Sequence, residues 1–402
     1  MIPYIIFIFM TIILSVIYDG QEDMTSGKKA WYIFVCLYLI LLAGFRNGVG
    51  GDTMLYMENF LSVPDQLNYL GDFIRDEVVE SGYMPGWSII VFFSKRWFDS
   101  FYAVQLIQAV IVNIGIFYLF RQYTSHIFLC ALLYGVCNIF FMYNMEVMRE
   151  GIAIVICGIG MHRYVQGCKW KFYVLVGIAV MFHISALIAL LFPIVIFRQI
   201  TIRTMIISFV AATTLFFLSD ALVTYLPSLL GSGARNAEKI MTYSEKTLNL
   251  FGYLRNTFRY LVIEAGMIFF AQYSIDEKDE QKMNIYTRYM NFYLLVTILI
   301  CSFIGFERFK NYTLIFYVIM LTEFIYNYKK QLTKNPVIKL IILLGIIVYM
   351  GRYYTNYYPD SKGYRYEFYY PYTSILDPED IDTSHRKAMH EEANFKVDFS
   401  RK

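Results

Sequence analysis

The charged residues of this sequence that could carry out chemistry stand inside or directly beside long apolar stretches. Arg46 and Asp52 flank a turn-like segment that contains Gly48, Gly50 and Gly51. Glycines let backbone amides approach a ligand closely, and an arginine near a carboxylate could bind an anion and move a proton. The plain alternative is a solvated turn after a helix. The combination of both charges with the glycines favours a functional site.

A second candidate is Arg149, which together with Glu150 begins the apolar run that starts at Gly151. The first-turn amides of a helix and a nearby guanidinium form an anion site, for which a diphosphate is a natural ligand. The alternative is an arginine at a helix end that only extends its charge to the membrane interface.

Two further ionisable positions complete the set. His183 lies in an apolar run with no other charge, and Arg308 stands with Glu307 and Lys310. The histidine is either a satisfied interior residue or an acid or base that titrates near neutral pH, and the charges around Arg308 could form a structural ion pair. Ionisable residues at membrane depth are costly, which makes them functional candidates by default.

The composition indicates that membrane helices position these residues. Of the 402 residues, 57% are hydrophobic and only 17% are charged, whereas soluble domains have about 25% charged residues. Apolar runs long enough to cross a bilayer recur along the chain, and lipid offers the backbone no hydrogen-bond partners outside a helix. We therefore predict an all-α, polytopic transmembrane helical bundle of about 12 spans.

The lysines and arginines of the short loops set the expected orientation, because such loops stay on the cytoplasmic side. The predicted transmembrane domain covers residues 1–351, with extracytoplasmic loops at 45–83 and 225–256. A polar, tyrosine-rich extracytoplasmic tail covers 352–402.

This topology makes two segments unusual. Residues 84–97 must enter the membrane and return on the same side, as a re-entrant segment. Residues 171–197 must break near His183 into two short helices, although two full spans need about 40 residues.

Several classes of partner are excluded or disfavoured. The net charge is +3 and the basic residues are scattered, which argues against nucleic acid, since that ligand requires a concentrated basic face. His385 and His390 lie in the polar tail without an HExxH pattern, so we expect no metal site and no cofactor. The six cysteines form no CxxC pair and are Cys36, Cys130, Cys137, Cys157, Cys168 and Cys301.

The tail up to Tyr372 is rich in tyrosine. Tyrosines form belts at membrane interfaces, but a tyrosine ring also packs on the C–H groups of a sugar while its hydroxyl makes a hydrogen bond. The sequence leaves both interpretations open. Tyr56, Tyr369 and Tyr372 are the candidate sugar-binding residues.

The order of these segments resembles the EpsG family, the Wzy-like bacterial polysaccharide polymerases related to O-antigen polymerases. The sequence departs from the common family pattern with Glu150, where glutamine is usual, and with Ser81, where proline is frequent. The resemblance extends to about Leu376 and rests on Phe45–Thr53 with Tyr56 and Phe60, Glu80–Tyr83, Met148–Ala153, His183–Ala186, Arg308 and Pro371–Tyr372.

The resemblance implies a glycosyltransferase-C-like membrane enzyme that needs no metal and works at the outer face of the bacterial inner membrane. Its substrate would be an undecaprenyl-diphosphate-linked oligosaccharide, and a flippase and a chain-length regulator would be its partners. Fixed guanidinium groups would stabilise the diphosphate leaving group, and a base would take the proton of the acceptor hydroxyl. The assigned residues are Arg46, Arg149 and Arg308 for diphosphate, Asp52 or His183 as base, and Glu80 in reserve.

Three other functions compete with a polymerase. A flippase for lipid-linked sugars would also need many spans and a cationic cavity, although transporters commonly show internal repeats, and none is evident. An O-antigen ligase-like transferase would use the same residues, and a membrane acyltransferase would require an intramembrane histidine such as His183. Whether the product is capsule, exopolysaccharide or the O-antigen of lipopolysaccharide stays open.

Overall fold

The protein is built almost entirely of helices, which form two compact units. Unit 1 comprises Met1–Leu187 and Thr333–Lys402, and unit 2 comprises Ile188–Leu332. The computed structural model describes residues 2–64, 69–80, 82–195, 200–230, 250–272, 280–302, 304–331, 355–377 and 384–396.

The described part of unit 1 contains ten α-helices before the first unit boundary and one near the C-terminus. A π-helical turn, Met142–Glu146, separates α8 from α9, and a 3₁₀ helix, Ile184–Ile194, continues from unit 1 into unit 2. The helices are α1 (Ile2–Tyr18), α2 (Ser26–Gly44), α3 (Gly51–Ser62), α4 (Leu70–Glu80), α5 (Pro85–Phe98), α6 (Phe101–Tyr123), α7 (Ile127–Val136), α8 (Ile139–Phe141), α9 (Met148–Val165) and α10 (Lys169–Val180).

The described part of unit 2 contains five α-helices. A π-helix, Thr257–Glu264, follows the second of them, and a 3₁₀ helix, Ile304–Lys310, precedes the last. The α-helices are α11 (Ile202–Leu230), α12 (Leu250–Asn256), α13 (Ala265–Gln272), α14 (Glu280–Ser302) and α15 (Asn311–Gln331).

The tail folds onto unit 1 and is not a separate appendage. Its first part is a two-stranded antiparallel hairpin of β1 (Tyr357–Tyr358) and β2 (Gly363–Tyr364), followed by a 3₁₀ helix, Arg365–Phe368. Helix α16 (Ser384–Lys396) packs against α3 and β1. The fold is therefore all-α apart from this one short hairpin in the described residues.

Four helices of the described residues are long and apolar enough to cross a membrane. A fifth span would consist of α7 and the following segment Ile139–Glu146, which are bent by 72°. The structure thus confirms a helical membrane protein, whereas the predicted number of about 12 spans is not confirmed. The four helical segments are Ser26–Gly44, Phe101–Tyr123, Ile202–Ser219 and Ile285–Ser302.

The two segments that the expected topology made unusual have different outcomes. Residues 171–197 do break at His183, between α10 and the 3₁₀ helix Ile184–Ile194, as predicted. The re-entrant segment predicted at 84–97 stays a prediction, and this stretch forms the single helix α5 of 14 residues. Asp99 ends α5 in the left-handed conformation, and α6 follows at once.

Helix α6 is central to unit 1 and contacts α2, α5 and α9. It approaches α9 closely at Gly115, where a Cβ atom would collide with the side chain of Val155. Its apolar side chains Val104, Val112 and Ile116 are fully buried. This close-packed arrangement provides the rigid support for the candidate site.

Candidate functional site

Arg46 follows α2 and holds the glycine turn together from inside. Its side chain is completely buried, with 0% exposure. The guanidinium donates hydrogen bonds to the carbonyl oxygens of Ala43 and Val49, the latter at 3.2 Å. It also donates to the hydroxyl of Thr53 at 3.1 Å. Burial lowers the pKa of Arg46 to about 10, so the group stays charged at neutral pH.

This geometry changes the role predicted for Arg46. A guanidinium that is enclosed by backbone carbonyls and has no exposed surface cannot contact a diphosphate in this conformation. A buried arginine whose three guanidinium nitrogens each donate to a neighbour instead fixes the backbone around it. Arg46 therefore positions the turn that leads into α3.

The glycines allow this turn to approach its neighbours. Gly50 has φ +101°, and a Cβ on it would lie 2.7 Å from the carbonyl oxygen of Met145. The amide of Gly51 donates to Glu146 Oε1 at 3.2 Å, and the Tyr369 hydroxyl donates to the same oxygen at 2.6 Å. Glu146 thus ties the start of α3 to the π-helical turn and to the tail.

Buried amide side chains on α6 form hydrogen bonds to the backbone of two segments of the site, the turn at Arg46 and the π-helical turn at Tyr143. Gln105 donates to the carbonyl oxygen of Arg46 at 3.0 Å, and Gln108 donates to that of Tyr143 at 2.8 Å. These two glutamines are three residues apart and so lie on one helix face. Polar side chains in an otherwise apolar stretch are the sequence signal for this face.

Asp52 lies in the first turn of α3 and pairs with a residue that the sequence analysis set aside. His390 on α16 and Asp52 are joined by a hydrogen bond of 2.8 Å between Nε2 and Oδ1. The Asp52 side chain is 33% exposed and that of His390 13%. The sequence offered no signal for His390, because it lies in a polar segment about 340 residues after Asp52 in the chain. Only the folded structure brings the two side chains together.

Arg149 is the second residue of α9 and is surrounded by aromatic rings. Its guanidinium carbon lies 4.3 Å from the centroid of Tyr83 and 5.6 Å from that of Tyr56. Its Nε donates to the Tyr56 hydroxyl at 3.4 Å. Among the described carboxylates none forms an ion pair with Arg149, including its neighbour Glu150.

Asp52 and Arg149 act on the same two tyrosines. Burial raises the pKa of both Tyr56 and Tyr83, while the Arg149 charge lowers it and the Asp52 charge raises it further. Asp52 and Tyr56 are four residues apart on α3 and so share one face of the helix, and Arg149 donates to the Tyr56 hydroxyl. The structure brings together Asp52, Tyr56 and Arg149, which the sequence had predicted as separate site residues.

Glu150 forms a hydrogen-bonded chain with His183. The Ser185 hydroxyl lies 3.2 Å from Glu150 Oε1 and 2.5 Å from His183 Nδ1. A carboxylate only accepts, so the hydroxyl donates to Glu150. The backbone amide of Ser185 also donates to His183 Nδ1, at 3.3 Å, so Ser185 contacts this ring nitrogen through both its amide and its hydroxyl.

The interruption of the helix at His183 is stabilised by α5. The amide of Gly86 in the first turn of α5 donates to the carbonyl oxygen of Met181 at 2.7 Å. This bond satisfies a carbonyl that the broken helix leaves without an intrahelical partner. A Cβ at Gly86 would lie 2.8 Å from the same oxygen, so the approach requires glycine.

The predicted sugar-binding tyrosines of the tail point inward. Tyr369 is 3% exposed, and the Tyr372 hydroxyl donates to the carbonyl oxygen of Leu42 at 3.0 Å. The interpretation of Tyr369 as part of a sugar platform therefore needs correction, because a buried face cannot pack on a ligand, while Tyr372 is half-buried. In the described part of the tail, the exposed tyrosine rings are those of Tyr357, Tyr364, Tyr366 and Tyr370, between 41% and 50% exposed.

The roles of two further predicted site residues, Glu80 and Arg308, stay predictions. Glu80 ends α4, and its side chain lies outside the described residues. Arg308 lies in unit 2, in the 3₁₀ helix Ile304–Lys310, and is exposed. Its role in binding diphosphate stays a prediction. No three histidine, cysteine, aspartate or glutamate side chains of the described chain lie together as metal ligands.

Comparison with known proteins identifies the family to which these motifs belong. The model of the EpsG family matches residues 29–374, which is far more than half of the chain. The chain belongs to the EpsG family. The usual role of this family is that of a Wzy-like polymerase in polysaccharide biosynthesis, a glycosyltransferase-type reaction. No curated protein and no solved structure matches the chain.

The EpsG match ends at residue 374, before helix α16. Arg46, Asp52, Tyr56, Tyr83, Arg149 and His183 all lie within the matched part. His390 does not, so its contact with Asp52 is a feature of this chain that the family match does not cover. The match also begins after α1.

Proposed function

We propose that this EpsG protein joins undecaprenyl-diphosphate-linked oligosaccharide repeat units into a cell-surface polysaccharide at the outer face of the bacterial inner membrane. The observation that carries the proposal is that Asp52 lies one helical turn before Tyr56 on α3, and that Arg149 donates to the Tyr56 hydroxyl at 3.4 Å. A base and a cation at one place are the two groups that this transfer requires. The family membership supplies the reaction class.

In the proposed step, a hydroxyl oxygen of the acceptor sugar attacks the anomeric carbon of the donor sugar. The bond from this carbon to the diphosphate oxygen breaks, and undecaprenyl diphosphate leaves with the electron pair. The hydroxyl proton passes to Asp52. Atoms and electrons balance in this step, and it consumes no further reactant. We propose that it needs no metal ion, because the cation is provided by arginine.

Arg149 is the arginine that we assign to the leaving group. It has no described ion pair, and it stands at the start of α9, where backbone amides add positive potential. The rings of Tyr56 and Tyr83 restrict the guanidinium. A fixed donor costs little reorganisation when charge develops on the diphosphate, and such donors are worth several kcal/mol, roughly 10²–10³ in rate each.

His183 is proposed to bind the acceptor hydroxyl through Nε2. The chain from Glu150 through Ser185 fixes the orientation of the imidazole, as a carboxylate does for the histidine of a catalytic triad. Glu150, which departs from the common family pattern, therefore serves His183 and does not neutralise Arg149.

The sugar-binding surface of the tail is proposed to consist of the exposed tyrosines, in place of Tyr369 and Tyr372. The rings of Tyr364 and Tyr366 are stacked with centroids 5.9 Å apart, and Tyr357 and Tyr370 extend this row. A row of amphipathic rings fits the alternating apolar and hydroxyl surface of a sugar chain. The same row would also suit a membrane interface, so a binding test is needed.

The test uses purified protein in detergent or bilayers with lipid-linked repeat units, no sugar nucleotide and added chelator. The unaltered protein should produce ladders of longer lipid-linked chains. Arg149→Ala should abolish them, and Arg149→Lys should restore little, since lysine lacks the planar fork. Arg163→Ala is the matched control, because Arg163 lies at the other end of α9 and bonds only Gln166 among its described partners.

Other outcomes point to other functions. Movement of lipid-linked units between leaflets without lengthening would favour a flippase, and transfer only to a different lipid or protein acceptor would favour a ligase. Full polymerisation by Arg149→Ala would refute the assigned diphosphate site. Loss of ladders with chelator would refute the metal-independent reaction.

A further inference from the structure

We infer that His390 on the C-terminal helix α16 is a positioning residue for the proposed reaction, holding the Asp52 carboxylate in the orientation in which it receives the proton. The inference rests on the proposed function, since it assumes Asp52 as the base. It concerns a residue beyond the part of the chain that matches the EpsG family.

The first argument is the geometry of the pair. His390 Nε2 lies 2.8 Å from Asp52 Oδ1, which is within the range of a charge-assisted hydrogen bond. Because one carboxylate oxygen is held by the imidazole, the other oxygen of Asp52 has a defined direction. The side chain of Asp52 keeps 33% of its surface exposed, which leaves room for a hydroxyl to approach.

The second argument is that the surrounding backbone is shaped for this contact. A Cβ at Gly51 would lie 3.1 Å from His390 Cδ2 and 2.9 Å from Glu146 Oε2. Any larger residue at this position would push the imidazole or the Glu146 carboxylate away from the start of α3. The glycine therefore permits the approach of a side chain from outside the matched part of the chain.

The third argument is that α16 is firmly anchored independently of His390. Arg386 donates to the carbonyl oxygens of Gly48 at 2.7 Å and Glu367 at 2.9 Å. Met389 is fully buried, and Glu392 accepts hydrogen bonds from Ser361 at 2.6 Å and 2.7 Å. Since these contacts bracket position 390, a substitution there should leave the helix in place.

Asp52 and His390 have different roles in the proposed reaction. Asp52 lies one helical turn before Tyr56 on α3, and Tyr56 and Tyr83 contact Arg149. His390 instead contacts the Asp52 carboxylate and the ring of Phe368. The centroids of the His390 and Phe368 rings are 6.5 Å apart. His390 acts on the substrate only through Asp52, as the aspartate of a catalytic triad acts through its histidine.

The experiment is a double-mutant cycle in the polymerisation assay with the full chain. His390→Ala should lower kcat by about tenfold to a hundredfold with KM little changed, as loss of an orienting partner does in other sites. In the Asp52→Asn background, the same substitution should have almost no further effect, because the group through which it acts is already altered. His390→Gln keeps an N–H donor and should recover part of the lost rate.

Two variants on the same helix are the controls. His385→Ala removes a 2.8 Å contact with Glu367, and Lys387→Ala removes the ion pair with Glu58, and neither residue contacts Asp52 in a described hydrogen bond. Both should retain the unaltered rate. An equal loss of rate in these controls would show that helix docking matters and not His390, and would overturn the inference.

The remaining outcomes separate the inference from the proposed function. An unaltered rate in His390→Ala, together with an inactive Asp52→Asn, would overturn the inference alone. The same holds if His390→Ala lowers the rate by an equal factor in both backgrounds, since a merely structural role predicts additive effects. Full activity of Asp52→Asn would refute Asp52 as the base and would overturn both.

Discussion

The guanidinium carbon of Arg149 lies 4.3 Å from the ring centroid of Tyr83, so the cation rests on an aromatic face and not on a carboxylate. A carboxylate partner would neutralise the charge, whereas a ring attracts the cation through its quadrupole and leaves the net charge available to an anionic ligand. The Asn59 amide donates to the Tyr83 hydroxyl and fixes the ring. The contact between Arg149 and Tyr83 links the loop before α5 to the start of α9.

Tyr83→Leu should weaken the binding of the lipid-linked donor, because the guanidinium loses its platform. Cation–π contacts contribute about 0.5–2 kcal/mol, which corresponds to a roughly 2- to 30-fold rise in KM. Tyr83→Phe keeps the ring face and should lie close to the unaltered protein. Tyr69→Leu, at a residue that is largely exposed, is the control. A Tyr83→Leu protein with unaltered KM would show that the ring does not support substrate binding.

Ser185→Ala should lower kcat through His183. Among the described contacts the hydroxyl links Glu150 to the imidazole, and its loss leaves the Ser185 amide as the remaining described bond to Nδ1, which restrains the ring less. We expect a decrease of about tenfold to a hundredfold in the polymerisation assay. In His183→Ala protein the serine substitution should add little. Additive losses in the two variants would indicate that Ser185 acts elsewhere.

Arg46→Lys should reduce the amount of folded protein more than it changes the activity of each folded molecule. Lysine cannot reach the carbonyl oxygens of Ala43 and Val49 and the Thr53 hydroxyl together, and each unsatisfied buried group costs about 1–3 kcal/mol. The measurement is Tm and monodisperse yield in detergent. Arg121→Lys at the exposed end of α6 is the control. A stable but inactive Arg46→Lys protein would restore the original prediction of direct diphosphate binding.

The contact between α16 and α3 should weaken as pH rises. Burial alone lowers the pKa of His390, but the hydrogen bond to Asp52 and the charges of Asp52, Glu146 and Glu391 outweigh it, so the pKa is raised. A raised pKa adds stability that is complete below the unfolded value of about 6.5 and is lost as pH passes through the folded value. The Tm difference between unaltered protein and His390→Gln should therefore be largest at acid pH. A difference that grows with pH would contradict this.

Loss of ring faces from the exposed tyrosine row should weaken the binding of a soluble repeat-unit oligosaccharide in detergent. Tyr364→Leu with Tyr366→Leu should reduce affinity by about three- to tenfold, whereas tryptophan at both positions should preserve it. Tyr173→Leu, at an exposed residue of α10, is the control. Equal oligosaccharide binding by all variants would leave the membrane interface as the environment of the row.

The sequence by itself determined the class of protein and most of the motifs. Long apolar runs can only be helices in lipid, and they appear as α2, α6, α11 and α14. The break at His183 followed from the length of the apolar stretch. The motifs around Arg46, Asp52, Arg149 and His183 lie within the matched part of the EpsG family, because a family pattern is local in sequence.

Only the tertiary structure decided what these residues touch. Arg46 and Arg149 are both arginines beside apolar helices, yet Arg46 is enclosed by backbone carbonyls and Arg149 rests on tyrosine rings. The tail tyrosines divide in the same way between buried and exposed positions. His390 reaches Asp52 because α16 folds back onto α3. Side-chain burial and contacts between distant segments depend on how helices pack, which sequence periodicity does not encode.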